Sequence, residues 1–549
     1  MVNTISLLYP PGYTAKHETA LSDQSFYPRL GLDRLIRIPV RGTMPWVDQQ
    51  EQFSKLLTSD ADVIQYRLDV VEDLINNPAL CGTFTEVLPQ IETIAQLRAD
   101  KSRVSEVTSC LYSISEIELY TNCVDLLYQG IKDTAVKSQG LQTLFQIIED
   151  IHESREYQNL KENSRRLMEE TRSIRSVTIG VNLNAQLHAV EAGVVAVNSE
   201  FFRSGDIIDR ILRLDRKDDG FRCLTPLVPY GANRADQRDT AFNSAINNAL
   251  DIIFSSAVRS WRPVIRRYLA QNTQYLVYLA QELRLLLGAV ELVNRMRALG
   301  MPMCKPQVHP TADKVLTLRS FYNPHIAVSL GTEKAGEMVF NDLKFDSEGM
   351  IYVLTGANQG GKTAVTHAVG IIQALFQLGF YVPARSAELS PVDNIFVHFP
   401  STSDAIGKGR LGEECNHLRQ IIANASEYSM VLLDEALSST SAVEAGFIAG
   451  EVLLGLSSIG VRGIFATHLH DLAGQVDQLN QHPANRVKID NLVAEVEAGS
   501  TKRTFKIARV KPDGLSYARS IAEQYGITLE QILKTRRQHK LRQPGAEQG

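Results

Sequence analysis

The sequence predicts a multidomain α+β chain: an all-α region with a small β-rich insert, followed by an α/β P-loop domain. Three observations lead there. Apolar residues recur at helical spacing through much of the first half. The period switches to strict alternation between about Ser173 and Val197. The second half alternates apolar strands with helices around one glycine-rich loop.

Composition sets the limits. A chain of 549 residues has room for about three or four domains. Hydrophobic residues make up 44% and charged residues 22%, the balance of a chain that buries a core. The net charge of −5 makes any nucleic-acid surface local rather than global. No apolar run reaches about 18 residues, so no membrane span is expected. The opening MVNTISLLYPPGY lacks the basic region and apolar core of a secretory signal. Six scattered cysteines without metal-site spacing read as reduced thiols of a cytoplasmic protein.

Residues 1–45 are expected to form an N-terminal arm and 46–310 the helical region. Ile64, Leu68, Val71 and Ile75 share a helix face, after a cap at Asp60 or Asp62 and before a stop at Asn77–Pro78. Helical patterns continue over Thr85–Leu97, with Pro89 as a break, then Val104–Tyr128 and Leu141–Glu153. Val177, Ile179 and Val181 alternate, as do Val195 and Val197, with Gly180 and Gly193 as punctuation. Leu276, Leu279, Leu283, Leu286, Val290 and Val293 form a narrow coiled-coil-like seam. Seven arginines within Arg259–Arg297 leave two readings open, a phosphate-facing surface or salt-bridged exposure. After the Pro-rich stretch 302–310, Ile326–Ser329, Met338–Phe340 and Ile351–Leu354 are strand candidates.

The chemistry starts at Gly356-Ala357-Asn358-Gln359-Gly360-Gly361-Lys362-Thr363-Ala364, the P-loop spacing between an apolar strand and a helix. Glycines let successive N–H groups point at phosphate oxygens, and the helix N-terminus adds positive field. Lys362 is placed to reach the β- and γ-phosphates of ATP, and Thr363 to offer a hydroxyl to Mg²⁺. A second apolar strand ends in Asp434-Glu435. Carboxylates at the C-terminal end of a buried parallel strand lie where open α/β sheets bind ligands. Asp434 would hold the Mg²⁺ shell, and Glu435 would orient or deprotonate the attacking water. A third strand ends at Thr467-His468, where a histidine can bond the γ-phosphate or the water. Lys362, Glu435 and His468 are therefore the candidate catalytic groups of an ATPase.

These motifs, in this order, resemble the MutS family of ABC-type ATPases. Thr355–Thr363 is similar to the family's nucleotide loop, Val382-Pro383-Ala384 with Ser386-Ala387-Glu388 to the following strand, and Asp434-Glu435 with Ser439-Thr440-Ser441 to its Walker B and dimer-facing loop. Phe465–His468 is similar to its switch histidine. Asp513-Gly514, Ser516-Tyr517 and Gly526–Lys534, with a capping box at Thr528 and Gln531, resemble its terminal helix-turn-helix. Upstream, Tyr66–Glu72 is similar to the opening of the family's helical core, 269–308 to its lever helix, and the β-rich stretch to its clamp.

The resemblance implies a core/lever domain over 46–310 with a reduced clamp insert over 173–235. It implies an ABC-type ATPase domain over 311–510 and a helix-turn-helix dimerisation element over 511–540, with a disordered tail over 541–549. It also implies a homodimer with composite ATP sites, acting as an ATP-switched clamp on duplex or branched DNA. On this alignment the chain starts at the family's core domain, so mismatch reading by the chain itself is not expected. Leu411-Gly412 stand where the family has small hydroxyl residues. The net acidity keeps a second client class open, in which the same engine grips RNA, a ribosome or a protein.

Overall fold

The computed structural model describes residues 6–13, 26–36, 55–101, 106–173, 175–187, 189–201, 203–204, 222–223, 262–265, 267–268, 274–356, 360–399, 410–437, 439–496, 503–511 and 525–541. The expected tail from 542 onward lies outside them, as does most of 203–261. The chain divides into two compact units, Met1–Ile5 with Gly82–Ala135 and Gln142–Gln281, and Ser6–Cys81 with Val136–Leu141 and Glu282–Gly549.

Among its described residues the first unit is mainly helical, with a β-hairpin and a two-residue strand pair, Arg203–Ser204 with Arg222–Cys223. Helix Pro78–Asp100 runs unbroken through Pro89, where the sequence suggested a break. An internal proline costs a helix about 3 kcal/mol. Burial of Phe84, Val87, Leu88, Ile91 and Ile94 along this helix outweighs that cost. Helices Glu106–Ile131 and Gln139–Glu153 follow their expected spans closely, and Arg155–Ser173 is a further helix. The buried carboxylate of Glu116 accepts from Arg98, Lys101 and Tyr268, so its charge is fully partnered inside the helical core. The alternating segment forms an antiparallel hairpin, Ser176–Leu183 paired with Ala189–Asn198.

The second unit holds the α/β fold. In chain order its main elements are α1 (Ala61–Asn76), β1 (Leu316–Phe321), β2 (Asn341–Phe345), β3 (Ile351–Gly356), α2 (Lys362–Leu378), β4 (Ser386–Leu389), β5 (Ile395–His398), α3 (Arg410–Asn424), β6 (Met430–Asp434), α4 (Ala442–Ile459), β7 (Arg462–Ala466), β8 (Ile489–Val496), β9 (Arg503–Ala508) and α5 (Leu529–Leu541). The main sheet has six strands in the order β5-β6-β7-β3-β8-β9, all parallel except the β8–β9 pair. β3, β6 and β7 are apolar and buried on both faces, as central parallel strands require. A second, four-stranded sheet pairs Gln307–Val308, β4, β1 and β2 in that order.

Two strand candidates are corrected. Pro324–Leu330, which contains Ile326–Ser329, is a helix. Asn323 caps it by accepting from the His325 N–H at 2.9 Å, and Pro324 occupies its first turn, where a missing N–H costs nothing. Met338–Phe340 is not a strand; pairing starts at Asn341. Residues 6–13 and 26–36, in the stretch expected as an arm, pack into this unit, with Leu7, Leu8, Phe26 and Leu32 buried.

α1 begins at Asp60, whose carboxylate accepts from the N–H groups of Asp62 and Val63. Arg67 on α1 is wholly buried; Nε donates to Leu8 O at 3.0 Å and Nη1 to Leu56 O at 2.6 Å. α2 ends against it at Gly379, in the left-handed conformation at φ 81°. A Cβ there would lie 2.3 Å from Arg67 Cβ. Gly379→Ala is therefore expected to destabilise the protein by about 2–4 kcal/mol, from φ strain and overpacking together. A urea titration would read this as a lower midpoint at an unchanged slope.

One helix among the described residues, α4, is long and apolar enough by length and composition to cross a membrane. Its Ala445, Ala449, Leu453 and Leu456 belong to the core cluster beside β6 and β7, which accounts for that apolarity.

Candidate nucleotide site

β3 delivers the chain to the site. It ends at Gly356, where φ is 136° and a Cβ would lie 2.8 Å from both Cβ and O of Ala494 on β8. No other residue fits that approach. Ala357, Asn358 and Gln359 lie outside the described residues; Gly360 and Gly361 lead into α2, which starts at Lys362. Gly361 is left-handed at φ 99° and supplies no side-chain cap. The first N–H groups of α2 at Lys362, Thr363 and Ala364 therefore face the loop without a capping side chain, the arrangement that favours an anion. Lys362 is buried, and its Nζ donates to Gly356 O at 2.9 Å across the loop mouth. Burial holds its pKa below the usual lysine value, opposed by the negative charges of Glu435 and Asp434.

Sheet register assembles the rest. Asp434 on β6 pairs with Ala466 on β7, and Ala466 pairs with Leu354 on β3. The Glu435 N–H donates to Ala466 O at 2.9 Å, and the Thr467 N–H to Leu354 O at 3.0 Å. Three strand ends thus place Asp434, Glu435, His468 and the P-loop side by side at one edge. Glu435 and Leu437 both take left-handed backbone angles, φ 50° and 66°. Such conformations are sparsely populated for side-chain-bearing residues and concentrate where geometry serves function. His468 Nε2 lies 2.8 Å from Glu435 Oε1, so the two partly exposed groups form a pair.

Asp434 is fully buried, and neither of its carboxylate oxygens has a hydrogen-bond partner. Burial raises its pKa, assisted by the Glu435 charge; the neighbouring Thr363 hydroxyl, Lys362 and His468 act in the opposite direction. A buried carboxylate with both oxygens unpartnered, beside a hydroxyl, is a hard oxygen donor set. That set fits Mg²⁺, a hard ion that takes oxygen ligands and is bound through few carboxylates.

Two cavities meet here. One of about 260 Å³ is lined by Gly361, Lys362, Thr363 and Glu435, with Phe505 at its side. A larger one of about 320 Å³ is mostly apolar, with Phe321, Ile326, Met338, Val365 and Phe505 among its walls. Ile326 and Phe505 carry no motif in the sequence and were found only through the fold. Ser439-Thr440-Ser441, matched to a dimer-facing loop, starts α4: the Ser441 hydroxyl accepts from the Glu444 N–H, and the Ser439 hydroxyl donates to Glu414. The first turns of α4 expose Val443 and Phe447. Thr528 caps α5 as expected: its hydroxyl accepts from the Gln531 N–H at 3.4 Å and donates to Gln531 Oε1 at 2.9 Å.

A family model described as MutS domain V matches residues 352–540, and one described as MutS2 N-terminal domain matches residues 59–299. The chain is 33% identical over 263 residues to the DNA mismatch repair protein MutS of Thermosynechococcus vestitus, covering 45% of this chain and 29% of that protein. It is 33% identical over 227 residues to the protein of that name from Sorangium cellulosum (39% and 24%), and 30% over 243 residues to that of Chlorobium chlorochromatii (44% and 26%). The match spans less than a third of these relatives' length.

Proposed function

The chain belongs to the MutS family, and from that premise we propose an ATP-binding and ATP-hydrolysing switch that acts on DNA as a homodimer. The observation that carries the ATPase half is Asp434, buried with both oxygens unpartnered, at the mouth of a loop whose lysine reaches across it. Thr363 and Asp434 would hold Mg²⁺, which when bound neutralises charge on the phosphates. Lys362 and the open N–H groups of α2 bind and orient the phosphates. Glu435 takes the proton of the attacking water at its carboxylate, and His468, 2.8 Å away, holds that carboxylate in position.

The DNA half rests on the relatives, which are named as DNA mismatch repair proteins. We read 46–310 as the core and lever with the hairpin Ser176–Asn198 in a reduced clamp at 173–235, 311–510 as the ATPase domain and 511–540 as the dimerisation element. Apolar side chains left exposed on α4 (Val443, Phe447) and before and on α5 (Tyr525, Ile527, Leu529) support a second copy as partner. The arginine-rich stretch supports DNA less than its composition suggested, since Arg284 is buried and Arg295 donates inward to Leu35 O. RNA, a ribosome or a protein as client gains no support from these relatives.

The test is duplex-DNA affinity across a salt series with a nonhydrolysable ATP analogue present. A protein that neutralises several phosphates loses affinity steeply, with a logarithmic slope of about −0.9 per contact. A slope near zero would remove DNA as the client.

A further inference from the structure

We propose that the N-terminal segments 6–13 and 26–36 form a two-part strap that couples the nucleotide helix α2 to helix Gln274–Ala298. Occupancy of the P-loop is then felt along that helix. The inference rests on the nucleotide-site reading above and adds to it a route of regulation.

Helix Gln274–Ala298 starts in the first unit and continues into the second from Glu282. Two of its charged side chains reach N-terminal backbone. Glu282 accepts from the Ser6 hydroxyl at 2.6 Å and from the Leu7 N–H at 2.6 Å. Arg295 Nη2 donates to Leu35 O at 2.6 Å. At 1.5 Å per residue these two anchors lie about 20 Å apart along the helix.

The other side of each segment faces α2. Ser6 Oγ accepts from the Leu8 and Tyr9 N–H groups at 3.1 and 3.0 Å, which folds residues 6–9 into a turn. That turn offers Ser6 O to the Tyr66 hydroxyl at 2.9 Å and Leu8 O to Arg67 Nε at 3.0 Å, both on α1. Arg67 in turn packs against the end of α2 at Gly379. In the second segment Leu30 fills a notch in the middle of α2. A Cβ on Gly370 would lie 2.9 Å from Leu30 Cδ2 and 2.9 Å from Leu432 Cδ1 on β6. Arg29 donates to Val397 O on β5 at 3.0 Å, and His325 Nε2 donates to Leu30 O at 2.9 Å.

Each segment therefore bonds helix Gln274–Ala298 on one side and meets α2, directly or through Arg67, on the other. These contacts resist slipping. Arg67 is wholly buried, and a buried charge stripped of its partners is heavily penalised. Leu7, Leu8 and Leu30 are buried too, and close-packed interiors transmit displacement rather than absorb it. Phosphates bind at the first turn of α2, about 12 Å from Gly370 along a stiff helix. Any displacement they impose on α2 reaches Leu30 and Arg67, and through the strap Arg295 and Glu282. Packed side chains, hydrogen bonds and stiff elements in series are the physical carriers of such coupling. The coupling is reciprocal, so a constraint on helix Gln274–Ala298 changes nucleotide affinity by the same factor.

Hydrogen exchange with and without Mg²⁺ and adenylyl imidodiphosphate, a nonhydrolysable ATP analogue, tests this in wild type and in the double variant Ser6→Ala/Arg295→Met. In wild type the analogue is expected to slow exchange at the start of α2, at residues 6–9 and, at least about fivefold, at Glu282–Ala298. In the double variant it still slows exchange at the start of α2, and its effect on Glu282–Ala298 is lost. Should the double variant fail to fold, Ser6→Ala alone decides, since it removes the Glu282 bond and both turn bonds and must still lower that effect. A folded variant that melts lower yet keeps the wild-type response at Glu282–Ala298 has a strap that is only structural, and the proposal is overturned. A wild type in which the analogue protects α2 and leaves Glu282–Ala298 unchanged overturns it as well. Failure of the nucleotide-site reading looks different: the analogue then protects nothing at Lys362–Ala364 in wild type, and the strap loses its input with it.

Discussion

Glu435→Gln binds Mg²⁺-ATP with near wild-type affinity and turns it over at least about 100-fold more slowly. The substitution keeps volume and shape, so the left-handed backbone at φ 50° and the bond from its N–H to Ala466 O are retained. The amide oxygen can still accept from His468, now 2.8 Å from Oε1. What is lost is a group able to take a proton, and general-base catalysis is worth about 10²–10⁴ in rate. Binding is spared because the phosphates meet Lys362 and the α2 N-terminus, and because removing the Glu435 charge eases the ionisation of Asp434 next to it. Single-turnover phosphate release beside an equilibrium ATP titration separates the two effects. A variant that hydrolyses ATP at more than a tenth of the wild-type rate places the base elsewhere.

That experiment depends on residues legible in the sequence, and the reason is physical. Gly356, Lys362, Asp434 and His468 each terminate or follow an apolar strand, and buried parallel strands have little freedom in where their ends emerge. Pattern alone could therefore place the site, and register only had to align Asp434, Ala466 and Leu354. The helical spans were legible for a similar reason, since periodicity and the Asp60 and Thr528 caps are local signals.

The misreadings arose where a cap or a packing contact outweighs periodicity. Apolar Ile326–Ser329 reads equally as strand or helix, and the deciding signal, Asn323-Pro324, lies just upstream. Pro89 was judged by its intrinsic penalty, while the burial of Phe84, Val87, Leu88, Ile91 and Ile94 that offsets it belongs to the folded chain. Arg462 carries no signal in the sequence, yet it is fully buried on β7, its guanidinium donating to Val315 O and Pro391 O; burial lowers its pKa to about 10. Phe505 was least legible of all, because a bulge and a positive φ leave no periodic mark.

Asp434→Asn is expected to abolish Mg²⁺-dependent turnover while making the nucleotide-free protein more stable. In the wild type the Asp434 carboxyl group is fully buried with neither oxygen bonded. Burial raises the folded-state pKa of Asp434 above its unfolded value. For a carboxylate the sign then runs one way: the favourable contribution is present at low pH, below the unfolded pKa, and is lost as pH rises through the folded pKa. The penalty therefore grows as pH rises through the folded-state pKa, and a bound cation offsets it. Replacing the charge by an amide removes the ionic part and keeps a polar group still short of partners, so the gain is on the order of 1 kcal/mol. Thermal unfolding in chelator should show the variant melting above wild type at pH 7, with the difference shrinking toward pH 4. Adding Mg²⁺-ATP should reverse the ranking, since only a protein that binds the ligand gains RT ln(1 + [L]/Kd). A variant that melts below wild type in chelator would show that the Asp434 carboxylate is partnered in the metal-free protein, and its assignment as the cation ligand would fall with it.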